Sequence, residues 1–132
     1  MLVRMLYSST AVGPLTTAVT GTILQAAQAY NTENNITGVL CQGQGMYLQA
    51  LEGDKGKLEA LYERITADTR HKNVVLISTE NITGRRYGKW SMAHVDMSEA
   101  NAYELATATG EQLLAHIDWL IESGKVMTTP VV

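Results

Sequence analysis

Residues 36–53, ITGVLCQGQGMYLQALEG, decide the fold of this chain. Two apolar runs flank Gly43-Gln44-Gly45, a spacing typical of two antiparallel strands joined by a tight turn. Both runs are apolar at consecutive positions, which predicts strands in the middle of a sheet covered on both faces. Gln49 is the exception, because a buried side-chain amide needs hydrogen-bond partners. Either the protein or a ligand must supply them.

The composition indicates one folded domain. The 132 residues are 45% apolar and 17% charged, which is enough for one proper core. The net charge of −3 argues against a nucleic-acid surface, which normally carries a basic excess. There is no run of ~18 or more apolar residues for a membrane helix, and the N-terminus lacks a signal-peptide pattern. We therefore expect a cytoplasmic protein that contacts neither nucleic acid nor membrane.

The cysteine and histidine content argues against a metal site and against an enzyme. Cys41 is the single cysteine and lies in an apolar run, so we interpret it as a small core side chain. His71, His94 and His116 are not spaced as metal ligands, and no second cysteine or carboxylate cluster accompanies them. Hydrolase and nucleotide-binding glycine motifs are also absent from the sequence.

The pattern around the hairpin predicts the element order βαββαββ. Strands are expected at 2–7, 74–79 and 90–95, and apolar spacings of three and four predict helices at about 15–30 and 55–69. This order is that of an α+β, ferredoxin-like sheet with two helices on one face. The first helix has a face of small residues, Thr22, Ala26 and Ala27, which either packs closely on the sheet or leaves room for a flat ligand.

The C-terminal residues are expected to cover the other face of the sheet. Apolar spacing predicts one short helix at 102–106 and a second from Leu113 to Ile121, stopped by Gly124. We therefore divide the chain into a core domain, residues 1–96, and a helical extension, residues 97–132. Alternation along the last strand puts Trp90, Met92 and His94 on one face, although a bulge or slip would change this.

Five motifs coincide in order and spacing. They are Tyr7 in Leu-Tyr-Ser-Ser, Asn31 after the first helix and six residues before Thr37-Gly38, Gln49 in Leu-Gln-Ala-Leu-Glu-Gly, Asp68-Thr-Arg70-His71 after the second helix, and Trp90-Ser-Met92 in the last strand. From about Leu2 to Val95 this set closely resembles the BLUF family, the blue-light sensors that use flavin.

The resemblance implies a flavin, FAD or FMN, bound non-covalently between the two helices. It implies that Tyr7 donates an electron and a proton and that Gln49 relays the change in hydrogen bonding. Trp90 and Met92, either of which can point into the pocket, would pass this change to the C-terminal helices, a homo-oligomer or a downstream signalling protein. The implied cofactor-binding residues are Tyr7, Ile23, Ala27, Asn31, Gln49, Arg64, Asp68, Arg70 and His71.

Two other functions are considered. The chain is alternatively a light-insensitive ferredoxin-like module for ligand binding or protein interaction, in which Tyr7 and Gln49 are satisfied core polar groups. An acylphosphatase-like hydrolase would need an arginine in the loop after the first strand, and residues 7–13, YSSTAVG, contain none. An absorption spectrum before and after illumination separates all three functions.

Overall fold

A computed structural model describes residues 1–12, 17–69, 71–98 and 107–126, without the side chains of residues 17–20, 23 and 71. Its elements are β1 Leu2–Ala11, α1 Thr17–Glu33, β2 Thr37–Gly43, β3 Met46–Asp54, α2 Lys55–Ala67, β4 His71–Asn81, β5 Ala93–Asp96 and α3 Gly110–Glu122. The strands form one sheet in the order β4-β1-β3-β2-β5. Among the strand pairs of the described residues, only β2–β5 is parallel. This confirms the predicted α+β, ferredoxin-like fold.

The predicted hairpin lies at the centre of the sheet. β2 and β3 pair in antiparallel fashion from Gly43–Met46 to Thr37–Glu52. The two residues between them, Gln44 and Gly45, both have positive φ angles, of 57° and 71°. Positive φ at both positions gives a turn whose twist matches that of the flanking strands. β3 pairs with β1 on its other side, so its residues from Met46 to Glu52 are paired with a neighbouring strand on both sides.

The sheet separates two apolar cores, as the apolar character of both strand faces predicted. On one side α1 and α2 cover residues such as Met5, Leu40 and Leu51. On the other side α3 covers Val39, Cys41 and further residues of the central strands. This confirms that a C-terminal helix covers the second face. The described helices are all too short or too polar to cross a lipid bilayer.

α3 forms where the apolar spacing predicted the longer C-terminal helix. The Thr109 hydroxyl oxygen accepts a hydrogen bond from the backbone N–H of Gln112, and the Gln112 side-chain oxygen accepts one from the backbone N–H of Thr109, which completes a capping box. The buried face consists of Leu113, Leu114, Ile117 and Leu120. Gly124, with a φ of 79°, ends the segment as predicted. The other predicted helix, residues 102–106, lies outside the described residues, and the division at residue 96 stays a prediction.

Three predicted boundaries are wrong. β1 continues from Tyr7 to Ala11, because Ser8, Ser9 and Thr10 pair with the backbone of β3 although their side chains are polar. α1 continues to Glu33, so Asn31 lies inside its last turn and not after it. Asn35, with a φ of 55°, is the residue that turns the chain away from the helix. β4 is longer at both ends, since its exposed polar residues still pair with β1.

The last strand also differs from the prediction. β5 begins at Ala93, so Trp90 and Met92 precede it and do not follow strand alternation. Trp90 packs in the core beneath α3, whereas Met92 packs in the core beneath α1 and α2. The prediction that both side chains lie on one face is therefore wrong. Met92 takes the inner position, on the same side of the sheet as Tyr7.

Candidate functional site

A cleft lies between α1 and α2, above the middle of the sheet. Its volume is about 170 Å³, slightly more than that of an engineered protein cavity of ~150 Å³ that admits benzene. Ala26 and Ala27 border it, so the small face of α1 leaves open space and does not pack closely on the strands. The lining residues are Ala26, Ala27, Tyr30, Asn31, Leu40, Tyr47, Gln49, Leu61, Arg64, Ile65, Asp68 and Met92.

Gln49 forms part of the floor of the cleft. It is 9% exposed and pairs with Tyr7 of β1 on one side and with Leu40 of β2 on the other. Its amide nitrogen Nε2 lies 3.5 Å from the sulfur Sδ of Met92, to which it donates a hydrogen bond. Because a thioether is a weak acceptor, this bond holds the amide only loosely. The side chain is therefore buried, next to Tyr7 in register, and able to exchange its partner.

Two buried polar atoms near Gln49 have no hydrogen-bond partner among the described residues. They are the Tyr7 hydroxyl oxygen and the Asn31 carbonyl oxygen Oδ1, and both side chains are 1% exposed. Buried polar groups are nearly always paired in proteins, so such atoms indicate a partner that the protein chain does not supply. Burial, with a contribution from Tyr62, raises the pKa of the Tyr7 phenol well above its usual value. Tyr7 is therefore a protonated donor at neutral pH.

The residues before β5 form the inner wall of the site. Gln28 Nε2 donates to the Met92 carbonyl oxygen at 3.1 Å, and Asn31 Nδ2 donates to the Ser91 carbonyl oxygen at 2.7 Å. The backbone N–H of Gly38 donates to the carbonyl oxygen of Trp90 at 3.1 Å. These bonds hold residues 90–92 against α1 and β2. Because the Asn31 side-chain amide bonds outside the helix, it does not compete for the backbone hydrogen bonds of α1, and the helix continues past Asn31.

The structure brings together most of the predicted binding residues. Ala27, Asn31, Gln49, Arg64 and Asp68 all line the cleft, while Tyr7 lies next to Gln49 and does not line it. The Arg64 guanidinium lies 4.4 Å from the centroid of the Tyr30 ring, at the α2 side of the cleft. Three predicted binding residues cannot be placed in this way. Arg70 lies outside the described residues, and the side chains of Ile23 in α1 and His71 in β4 are not described.

Several lining residues were not singled out by the sequence. Leu40 and Tyr47 face the cleft from β2 and β3, and Leu61 and Ile65 face it from α2. The sequence carries two signals for them: Tyr47 lies two residues before Gln49 in the same strand, and Leu61 and Ile65 are four residues apart in the same helix. Both signals are also those of ordinary core residues. In the described ranges no three His, Cys, Asp or Glu side chains come together as a metal site requires.

The comparison with protein families identifies the class of this site. The family model described as "Sensors of blue-light using FAD", BLUF, matches residues 2–93. The chain belongs to the BLUF family. A similar relative is photoactivated adenylate cyclase subunit alpha of Euglena gracilis, 38% identical over 106 residues, which are 80% of this chain and 10% of that one. The alpha-like protein FB of the same organism is 36% identical over 117 residues. The chain thus spans about a tenth of the length of these relatives.

Solved BLUF structures share this fold over nearly its whole length. The dark state of BlrB, a BLUF protein, superposes with a TM-score of 0.80 and 28% identity, covering 93% of this chain and 96% of that one. A bacterial light-regulated adenylyl cyclase gives a TM-score of 0.72 and 30% identity, with 93% of this chain and 36% of that one covered. The match to the cyclase therefore covers nearly all of this BLUF chain but only about a third of that protein.

The residues of the cleft suit the flavin of the BLUF family. FAD is named in the family's description, which confirms the predicted class of cofactor. A flavin ring system is flat, apolar on its faces and polar at its edge. The cleft offers small and apolar walls, and its lining includes the Asn31 oxygen, which has no partner among the described residues, and the loosely held Gln49 amide. The buried Tyr7 hydroxyl belongs to the adjoining strand, in register with Gln49.

Proposed function

We propose that this BLUF chain is a blue-light receptor that binds a flavin non-covalently between α1 and α2. The signal is a light-driven rearrangement of hydrogen bonds around Tyr7 and Gln49. One observation carries this proposal: the buried Gln49 amide lies between the strand of Tyr7 and the sulfur of Met92, with only a weak bond to hold it. A bound flavin, excited by blue light, supplies a strong oxidant for a nearby aromatic side chain.

Tyr7 is the donor of the electron and the proton. Its phenol is fully buried and unpaired among the described residues, and its raised pKa keeps the proton on the oxygen in darkness. The Gln49 side chain lies on the adjoining strand at the same register position. A side-chain amide both donates and accepts hydrogen bonds, so Gln49 can accept one from the Tyr7 hydroxyl, donate one through its Nε2, and exchange these partners when it reorients.

The remaining site residues hold and orient the cofactor. Asn31 is anchored through its Nδ2, which leaves its Oδ1 to accept an N–H from the edge of the ring. Ala27 leaves space for the ring, and the family resemblance implies Ile23, one turn earlier in the same helix, as a further binding residue. The family resemblance assigns Arg64, Asp68, Arg70 and His71 to the binding of the ribityl and phosphate end, where guanidinium groups pair well with anionic oxygens.

The signal leaves the site through residues 90–92. When the Gln49 amide reorients, its Nε2 no longer donates to Met92, and the segment that carries Met92 and Trp90 has a new preferred position. The Met92 and Trp90 side chains lie on opposite sides of the sheet, so this segment reaches both cores. The output is a change in α3, in a homo-oligomer or in the binding of a downstream signalling protein.

The test is an absorption spectrum of the purified chain, expressed with ample flavin, in darkness and under blue light. We expect a yellow protein whose absorption shifts to the red and returns in darkness, because a changed hydrogen bond to the ring alters its excitation energy. Gln49→Leu should bind flavin without the shift, since leucine cannot exchange hydrogen bonds. Gln25→Leu, the same change at an exposed position of α1, is the matched control and should keep the shift.

The results separate this function from the alternative. A colourless protein would contradict the proposal and favour a light-insensitive ferredoxin-like module. A yellow protein whose Gln49→Leu variant shifts like the wild type would show that Gln49 is not the relay. Tyr7→Phe provides a second check, since it removes only the hydroxyl and should abolish the shift while the flavin stays bound.

A further inference from the structure

The segment between β4 and β5, residues 82–92, lines the cleft at its Met92 end and contacts α3 near its middle. We call it the β4–β5 connection. Its cleft end is Met92, which accepts the hydrogen bond from Gln49 and whose backbone carbonyl is held by Gln28. Two further side chains of the connection, Tyr87 and Trp90, pack in the core on the opposite side of the sheet. The connection is therefore placed to link the two cores, which the sheet otherwise separates.

A buried carboxylate fixes the middle of the connection. Glu52 of β3 is 0% exposed, and its two oxygens accept the backbone N–H of Arg86 at 2.9 Å and of Tyr87 at 2.7 Å. The same carboxylate accepts from Arg4 Nε at 2.9 Å. Hydrogen bonds to a buried charge are short and strong. Arg86 and Tyr87 are thus anchored to the central strand that also carries Gln49.

Tyr87 joins this anchor to α3. Its ring is 1% exposed, and its hydroxyl donates to Asp118 Oδ1 of α3 at 3.0 Å. Arg86 Nε lies 3.7 Å from the other oxygen of the same carboxylate. Burial and the nearby Asp118 raise the pKa of the Tyr87 phenol, which therefore stays a donor at every physiological pH. Within the connection the N–H of Trp90 donates to the carbonyl oxygen of Tyr87 at 3.4 Å, closing a short turn.

We propose that the Tyr87–Asp118 contact couples α3 to the flavin site. Tyr87 and Asp118 are positioning residues, and this inference rests on the proposed change at Gln49 and Met92. When Gln49 releases Met92, the turn formed by residues 87–90 shifts about its anchor at Glu52. The hydrogen bond from the Tyr87 hydroxyl to the Asp118 side chain is then strained or broken. As a result, the backbone amides of α3 change their exposure to solvent. The coupling is the hydrogen bond from the buried Tyr87 phenol to the Asp118 carboxylate, which joins the β4–β5 connection to α3.

A second route to α3 exists and makes the proposal testable. Val95 of β5 forms an isolated bridge with Val126, and the N–H of Asp96 donates to the carbonyl oxygen of Lys125 at 2.9 Å. These are backbone contacts just beyond α3, and they do not depend on Tyr87 or Asp118. If the signal travels along β5 instead, removal of the Tyr87 hydroxyl will leave it intact.

The experiment measures hydrogen–deuterium exchange of the α3 peptides in flavin-loaded protein, in darkness and under blue light. Tyr87→Phe removes only the hydroxyl, Asp118→Ala removes the acceptor, and Asp118→Asn keeps an acceptor oxygen without the charge. Glu122→Gln, one turn further along α3 at an exposed position, is the matched control for loss of an acidic group. We expect every variant to show the red shift, because none of these residues lines the cleft.

The light–dark difference in α3 exchange should be lost in Tyr87→Phe and in Asp118→Ala, and kept in Asp118→Asn and Glu122→Gln. Asp118 is partly exposed, so Asp118→Ala tests the contact even if Tyr87→Phe fails to fold. A difference that survives in both Tyr87→Phe and Asp118→Ala would overturn the proposal in favour of the Val95–Val126 route. A wild type that shifts red without any change in α3 would overturn it too. A wild type without a red shift would instead contradict the proposed photoreceptor function.

Discussion

Cys41 shows how one buried side chain makes the stability of the fold depend on pH. It lies in β2 at 0% exposure, beneath α3, which confirms its interpretation as a small core residue. Burial raises the pKa of its thiol from 9.0 to about 12. At pH 8 the thiolate fraction of the folded protein is then only about one in ten thousand, so the native thiol should be inert.

The raised pKa predicts a loss of stability in alkali. Between pH 9 and 12 the unfolded chain releases the Cys41 proton and the folded chain keeps it, so the free energy of unfolding falls as pH rises. From pH 8 to 10 the wild type should lose about 1.4 kcal/mol more than Cys41→Ala, measured by urea denaturation at both pH values. Parallel pH dependence in the two proteins would contradict this prediction. The cavity left by alanine affects both pH values equally and cancels.

Individual residues also show which parts of the site could be predicted from the sequence and which could not. Gln49 was found because an amide in an apolar run has no place in an ordinary core, and its register with Tyr7 confirms that the two lie side by side. Tyr47 also lines the cleft, but a tyrosine in a strand is ordinary core material and carries no such signal. The opposite orientations of Met92 and Trp90 could not be predicted, because they depend on β5 beginning after both residues.

At the scale of elements, one buried charge ties together two strands and a connecting segment. Glu52 of β3 pairs with Arg4 of β1 and accepts from two backbone N–H groups of the β4–β5 connection. The neighbouring Arg85 donates to the Thr37 hydroxyl and to the Glu52 carbonyl oxygen. The sequence shows only an acidic residue near the end of a strand and a polar segment later. Their contact is long-range and has no local signal.

This arrangement predicts unequal costs for two similar substitutions. Glu52→Gln removes a fully buried charge and leaves two N–H groups and Arg4 facing an amide, so we expect a loss of roughly 3–5 kcal/mol in the free energy of unfolding. Glu80→Gln removes the other carboxylate bound to Arg4, but the Glu80 side chain is 50% exposed, and such pairs contribute about 0–1 kcal/mol. Urea denaturation of both variants measures the difference. Equal losses would show that the buried network adds nothing beyond a surface pair.

At the scale of the whole molecule, one sheet separates the cofactor cleft from the C-terminal helix. The cleft borders α1, α2 and the upper face of β3, whereas α3 packs on the lower face. The arrangement of layers was predictable, because both faces of β2 and β3 are apolar and each needs a cover. The contact between the layers could not be predicted in the same way, because it is made by the β4–β5 connection, which has no regular secondary structure. The cleft and α3 therefore lie on opposite sides of one sheet.

This separation predicts which elements a bound flavin should protect from exchange in darkness. FAD at about a hundredfold excess over its Kd should stabilise the fold by about 2.7 kcal/mol, which raises the thermal midpoint by the order of 10 °C. Exchange protection should appear in peptides of α1, α2 and β3, which border the cleft, and not in α3. Adenosine monophosphate, which lacks the ring system, is the control and should do neither. Equal stabilisation by this control would place the binding energy outside the cleft. Protection of α3 in darkness would show that the sheet does not insulate the two sides, and that α3 is coupled to flavin binding itself and not only to light.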